Sequence, residues 1–292
     1  MNKVEQTFVA HRLRDGRSFY PENSMEAYID ALNNPEVGGL ELDIQRTKDG
    51  EFVLMNYKTI ENVTSLADPN RNKISDYTYD ELLQMEFHAN LAEIEKAILT
   101  DAVEFGEQAQ EILEYYKKLK EYCKTVTIPK LDDILSVPRN GKKLFIEIKT
   151  DYSKEQKQES ISYARDLTTI LEKYNLNGVA IIGRDTNTLE AIKQEKPFLP
   201  CMPVVGYDDA EKLTYGFDGA SIAENHLQKI VPGVNKLAWE YMIENGQEVA
   251  VWNLRTYEAL LRTDKVFADT GIDYNPTSDF AGVNGELYRR KK

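Results

Sequence analysis

Glu41 and Asp43 lie two residues apart in Gly39-Leu-Glu-Leu-Asp-Ile44, where Leu40, Leu42 and Ile44 alternate with the acids. A period of two marks a strand, and alternate residues of a strand share a face. Two carboxylates therefore point the same way, one pleat apart. A third, Glu147, stands beside Lys149 in Leu144-Phe-Ile-Glu-Ile-Lys149, and His11-Arg12 follows the apolar run Thr7–Ala10. Carboxylates gathered at one site repel one another unless a cation sits among them, and hard oxygen donors select Mg2+ or Ca2+ over softer metals. Arg12 and Lys149 add positive charge for an anionic substrate, while His11 can carry a proton near neutral pH. Taken singly, each of these residues is commoner on a solvated surface than in a site, so the elements that position them decide the matter.

The first such element is a hairpin. Asp49-Gly50 sits between two strand-like runs, a strong turn signal because both central positions need positive φ. With those two residues at the turn centre, Lys48 faces Glu51, Arg46 faces Val53 and Asp43 faces Asn56. Asn56 is thereby expected beside the Glu41/Asp43 pair. The link is too short for a helical crossover, which needs about a dozen residues.

Beyond the hairpin, short apolar runs alternate with helical patterns. Strands are expected at Thr7–Ala10, Gly39–Ile44, Leu144–Ile148, Val179–Ile182, Met202–Val205, Gly219–Ile222, Val249–Trp252 and Val266–Ala268. Helices are expected at Ser24–Asn33, Gln156–Tyr174, Thr186–Gln194, Ala210–Leu213, Lys236–Asn245 and Tyr257–Leu261. Alternation of this kind implies a parallel sheet, and eight repeats imply closure into a (β/α)8 TIM barrel. An open doubly wound sheet is the alternative, although no Gly-x-Gly-x-x-Gly follows any strand. In a barrel the strand C-terminal ends form the active face. His11, Arg12, Glu41, Asp43, Glu147, Lys149 and Trp252 all fall there. One segment breaks the rhythm: over residues 88–127, and most clearly Leu91–Lys124, apolar residues recur at helical spacing. One or two amphipathic helices are expected there, as a lid, an interface for homo-oligomerisation, or a cover packed on the barrel's outside. With no tandem repeat or low-complexity linker, residues 1–292 read as a single domain containing that insertion.

Composition narrows the partners. The chain has 292 residues, 41% of them hydrophobic and 29% charged, which suits a soluble globular protein. A formal net charge of -13 argues against nucleic acid and against anionic membrane surfaces. A local cation still allows a phosphate ester as a small-molecule substrate. Two cysteines, Cys123 and Cys201, supply neither a disulfide framework nor a Cys-type zinc site. The first residues lack a signal-peptide apolar core and no run approaches the ~18 apolar residues of a membrane span. The expected location is the cytoplasm.

Taken with their neighbours, these residues resemble the glycerophosphodiester phosphodiesterase family of barrel enzymes. The resemblance rests on His11-Arg12, Pro21-Glu22-Asn23-Ser24 with Ala27, Glu41-Leu42-Asp43 and Thr47-Lys48-Asp49-Gly50. It continues in Ile128-Pro129-Lys130-Leu131-Asp132-Asp133-Ile134-Leu135, Glu147-Ile148-Lys149 and Val251-Trp252-Asn253. It implies a (β/α) barrel that hydrolyses glycerophosphodiesters to glycerol 3-phosphate and an alcohol. It further implies that Glu41, Asp43 and Glu147 hold one divalent cation, Mg2+ or Ca2+. His11 maps to the first catalytic histidine, Lys149 to the active-site lysine, and Arg12, Glu22 and Trp252 to substrate contacts. The family's second histidine falls at Asn56, with Tyr57 in place of the following aspartate, and Asn cannot carry a proton near neutral pH. His226, after the Gly219–Ile222 strand, is a possible substitute acid, and His88 a weaker one. The family's Ser-Phe after the fifth strand reads here as Gly183-Arg184, and its closing Thr-Asp-x-Pro is approximated by Ile272–Pro276. The resemblance thus implies a slow or substrate-altered phosphodiesterase, or a catalytically inactive relative that binds a metal and a phosphate ester as a sensor or scaffold.

Overall fold

Eight parallel strands close on themselves in the computed structural model. It describes residues 7–66, 68, 70–100, 108–150, 156–205, 216–224, 227, 244–268 and 273–291. The strands are Phe8–Ala10 (β1), Val37–Arg46 (β2), Lys143–Ile148 (β4), Val179–Gly183 (β5), Cys201–Val205 (β6), Gly219–Ala223 (β7), Glu248–Trp252 (β8) and Tyr274–Ser278 (β9). Phe52–Leu54 (β3) is the antiparallel exception, paired with β2 outside the ring. β1 pairs with both β2 and β9, so the ring is complete and the open-sheet alternative fails.

The helices are Met25–Asn33 (α1), Tyr79–Leu82 (α2), Leu91–Thr100 (α3), Ala109–Tyr122 (α4), Leu131–Ser136 (α5), Lys157–Leu171 (α6), Thr186–Glu195 (α7), Tyr257–Phe267 (α8) and Ala281–Lys291 (α9). Several begin on side-chain caps: Ser24 accepts from the Ala27 amide, Asp185 from Asn187 and Thr188, and Thr256 from Ala259. The helices expected at Ala210–Leu213 and over most of Lys236–Asn245 lie outside the described residues. Among the described residues, no helix is long and apolar enough to cross a membrane.

Strand alternation divides the interior into two shells. Leu40, Leu42, Ile44, Leu144, Ile146, Ile148 and Ile181 point outward and pack against the helices. Their neighbours in sequence point into the barrel, where Val9, Phe145, Ala180, Ile182, Met202, Val204 and Ala250 fill the lower lumen. This is the packed barrel interior that leaves chemistry to the strand ends.

Two sequence expectations need correction. Val266–Ala268 is not a strand; Val266 and Phe267 close α8, with Phe267 stacked on Tyr274. The eighth strand is Tyr274–Ser278, whose polar sequence and Pro276 hide its strand character. The hairpin register is also shifted by one residue. Arg46 pairs with Phe52 rather than Val53, because the loop is Lys48–Gly50, three residues long. Thr47 shapes it by accepting the Glu51 amide through Oγ1 at 2.9 Å, and Gly50 takes φ +90°. A three-residue loop ending in a left-handed Gly is the next commonest hairpin after the two-residue kind. Asp43 therefore lies opposite Met55, whose amide donates to the Asp43 carbonyl at 2.9 Å.

The insertion lies over the strand C-terminal mouth rather than on the barrel's flank. Phe19 and Phe280, from the segments following β1 and β9, give it an apolar floor. Tyr115 and Tyr116 of α4 meet Phe280 edge-on, with ring centroids at 5.4 and 5.7 Å. Gln108 pins the start of α4 to the barrel's last helices, donating to Asn284 and accepting the Tyr257 amide.

Candidate active site

Continuing each inward-facing row past the strand ends brings polar groups on to the lumen's upper rim. Val9 leads to His11, Phe145 to Glu147 and Lys149, and Ala250 to Trp252. Together with Arg12, Glu41, Asn56, Arg184, Ser221 and Thr277 they line a cavity of about 200 Å³. Asn56 reaches it although its expected cross-strand partner was wrong. The chain leaves β3 after Leu54, so strand parity no longer governs that side chain.

Glu41, Asp43 and Glu147 offer oxygen atoms that all lie within 4.8 Å of one another. β2 and β4 bring them together in register, with Asp43 directly beside Glu147. Lys149 spans the last two, 2.9 Å from Asp43 Oδ1 and 2.6 Å from Glu147 Oε1. Burial, with Asp43 and Glu147 close by, pushes the Glu41 carboxyl well above the ordinary carboxylate range. Asp43 goes the other way: burial opposes it, but Lys149 and Arg12 hold its carboxyl below its ordinary value. Among the described residues, Glu41 Oε1 is buried without a hydrogen-bond partner. Three convergent hard oxygens, one of them orphaned, fit a divalent cation.

His11 is held from behind. Its Nδ1 lies 2.8 Å from Asp279 Oδ1, while Nε2 faces Glu41 Oε2 at 3.9 Å. Burial works against the Asp279 carboxylate, yet Arg14 and His11 keep it well below the usual range. The chain turns sharply after His11: Arg12 and Leu13 both take positive φ, 52° and 65°, an uncommon region for non-glycine residues. That turn aims the Arg12 amide at Glu41 Oε2, 2.7 Å away. Asn23, also at positive φ, exchanges two hydrogen bonds with Asp43, donating from Nδ2 to Oδ2 and accepting the Asp43 amide.

Glu22 does not line the central cavity. It lies between two arginines, 3.1 Å from Arg12 and 2.5 Å from Arg14. The insertion adds Glu93, which accepts from Tyr57 Oη at 2.5 Å and lies 3.6 Å from Arg12. His88 lines a small neighbouring cleft with Asn56 and Tyr57. His226 lies outside the described residues.

Sequence reasoning missed Arg14, Glu93, Arg184 and Asp279. Only Asp279 and Arg184 had a usable signal, since each follows a strand C-terminal end. Asp279 was hidden because its strand was misplaced. Arg14 and Glu93 sit in irregular or inserted segments with no local pattern to mark them.

Comparison with known proteins gives a consistent likeness. Residues 14–274 match the family model described as the glycerophosphoryl diester phosphodiesterase family. A glycerophosphodiester phosphodiesterase of Bacillus altitudinis is 38% identical over 73 residues, 25% of this chain and 27% of that protein. The matched stretch thus spans only about a quarter of that relative's length. A candidate glycerophosphoryl diester phosphodiesterase from Silicibacter pomeroyi superposes with a TM-score of 0.74 at 17% identity, over 99% of this chain and 95% of the other. An Oleispira antarctica phosphodiesterase, solved with the product sn-glycerol-3-phosphate, gives 0.66 at 15% identity, over 97% and 96% of the two chains. At these identities the superpositions speak for the fold.

Proposed function

The chain belongs to the glycerophosphoryl diester phosphodiesterase family, and we propose that it is a phosphoric diester hydrolase cleaving glycerophosphodiesters to glycerol 3-phosphate and an alcohol. The observation that carries this reading is the meeting of Glu41 and Glu147 with His11 and Lys149 on one cavity, with the buried Asp43 completing the carboxylate cluster. Glu41, Asp43 and Glu147 would hold a Mg2+ or Ca2+ ion, which when bound neutralises charge on phosphoryl oxygens. Arg12 and Lys149 present donors to the same oxygens, and Trp252 offers an apolar wall to the glycerol. Asp279, engaged with His11 Nδ1, leaves Nε2 to move a proton at the attacking or departing oxygen. Asn56 can hydrogen-bond a phosphoryl oxygen but cannot exchange a proton with it.

Losing one positioned acid or base costs about 10²–10⁴ in rate, so turnover is expected to be slow or directed to an altered substrate. Asn56→His should raise it by about tenfold or more. The assay is hydrolysis of glycerophosphocholine with Mg2+, Ca2+ or Mn2+, with Glu41→Ala as the control. Turnover no higher than that control rejects the enzyme reading. Asn56 also favours a second reading, a non-catalytic module that binds a metal and a phosphate ester as a sensor or scaffold. Calorimetry that finds no metal-dependent binding of glycerol 3-phosphate would exclude it.

A further inference from the structure

Among the described residues, no carboxylate pairs with Arg184, unlike Arg12 and Lys149 of the same cavity. Lys149 is shared by Asp43 and Glu147, and Arg12 by Glu22, Glu93 and Asp43. Arg184 lines the same cavity and is exposed there, and among the described residues no hydrogen bond or ion pair reaches its guanidinium. In a chain with 49 acidic against 36 basic residues, an exposed arginine with no acidic partner among the described residues calls for an explanation.

Its position is fixed by the strand before it. Ala180 and Ile182 face the lumen, so the residue two further on continues that row beyond the end of β5. β4 and β5 pair Ile148 with Gly183, which sets Arg184 beside Lys149 on the next rung. The strands approach closely there: a Cβ on Gly183 would come within 2.5 Å of Ile148 Cγ1. The adjoining carboxylate, Asp185, is buried and committed elsewhere. It accepts the Asn187 amide at 3.0 Å, the Thr188 hydroxyl at 2.5 Å and the Ser160 hydroxyl at 3.3 Å. It caps α7, and its oxygens are committed there rather than to Arg184.

We propose that Arg184 forms a second anion subsite, which receives a phosphate carried by the leaving alcohol. The preferred substrates would then be glycerophosphodiesters whose alcohol is itself phosphorylated. This rests on the diesterase reading of the cavity, in which the scissile phosphoryl group sits over β2 and β4. Neighbouring strands lie about 4.8 Å apart, so an anion at Arg184 is roughly 5–10 Å from that group. A short polyol spans such a gap. The bidentate guanidinium suits a phosphate there better than an ammonium would.

A matched pair of esters tests the subsite: glycerophosphoinositol 4-phosphate and glycerophosphoinositol, with Mg2+, on wild type, Arg184→Ala and Arg184→Lys. Wild type should favour the phosphorylated ester by about tenfold or more in kcat/KM, the scale of one charge-assisted contact. Arg184→Ala should raise KM for that ester by a similar factor and so erase the preference, weakening the phosphorylated ester more than the unphosphorylated one, and Arg184→Lys should restore part of the loss. Equal use of both esters by wild type, or equal weakening of both in Arg184→Ala, overturns the subsite. If neither ester is turned over, it is the diesterase reading that fails. Calorimetric titration of both esters with Mg2+ then decides the subsite alone: tighter binding of the phosphorylated ester that Arg184→Ala abolishes sustains it, and equal binding overturns it.

Discussion

The two sides of the barrel mouth treat buried carboxylates in opposite ways. On the β1/β9 side the site's carboxylates meet opposite charges: Glu22 lies between Arg12 and Arg14, and Asp279 faces His11, Arg14 and Arg255. Asn253 adds a 2.6 Å hydrogen bond to Asp279. On the β2/β4 side three carboxylates crowd around Lys149, and among the described residues one oxygen of Glu41 has no partner. The consequence is visible in proton affinity, with Asp279 held well below the ordinary carboxylate range and Glu41 pushed well above it. One side is a finished scaffold that orients groups. The other is electrostatically incomplete and waits for positive charge.

Removing a carboxylate should therefore have opposite effects on the two sides. Asp279→Ala takes from Arg14 one of its two carboxylates, leaving it Glu22, and removes the hydrogen-bond partner of His11 Nδ1; it should cost about 3–5 kcal/mol, the usual penalty for breaking a buried pair. The sign of the pH dependence follows from the depressed Asp279 value. Its contribution is present above the ordinary 3.8 and lost as the pH falls through the lower folded value. The gap between wild type and variant in urea unfolding should narrow in acid, and a variant within about 1 kcal/mol of wild type at neutral pH breaks the comparison.

Next in size is the metal effect. Mg2+ or Ca2+ at a hundred times its dissociation constant should stabilise the protein by about 2.7 kcal/mol, reversed by chelation. Glu41→Gln should abolish that gain while leaving the metal-free protein unchanged or up to about 1 kcal/mol more stable, since it removes a repelled buried charge. Because the folded Glu41 value is raised, the metal-free wild type should lose stability as pH climbs above the ordinary 4.5, and the variant should lack that slope. A Glu41→Gln protein as damaged as Asp279→Ala would erase the distinction between the two sides. The smallest effect is expected at Glu93, whose side chain is 39% exposed. Glu93→Gln should cost less than about 1 kcal/mol in urea unfolding, given solvent screening. A larger loss would make the insertion part of the scaffold rather than a cover resting on it.

How far the sequence led depended on whether the deciding signal was local. Glu41, Asp43 and Glu147 were legible because alternation fixes which way a strand residue points, and their strands were apolar enough to identify. Asn56 was placed correctly on the cavity but for the wrong reason. Asp49-Gly50 suggested a two-residue turn, whereas the Thr47 side chain stabilises a three-residue loop that shifts every cross-strand pair. Tyr274–Ser278 escaped notice because a parallel barrel strand held between two neighbours needs no apolar run on its lumen side. With that strand went Asp279. The seat of the insertion was illegible for a different reason, since its apolar floor comes from Phe19 and Phe280, at opposite ends of the chain.

That last separation has a consequence during synthesis. His11 and Asp279 are 268 positions apart, while the carboxylate cluster is complete once Glu147 has been made. At about 5–20 residues per second, the 132 residues from Glu147 to Asp279 take roughly 7–26 s to emerge from a ribosome. Over that interval β1 lacks the neighbour that closes the ring, and the histidine has no anchor. A nascent chain would thus carry all three carboxylates well before His11 gains its partner.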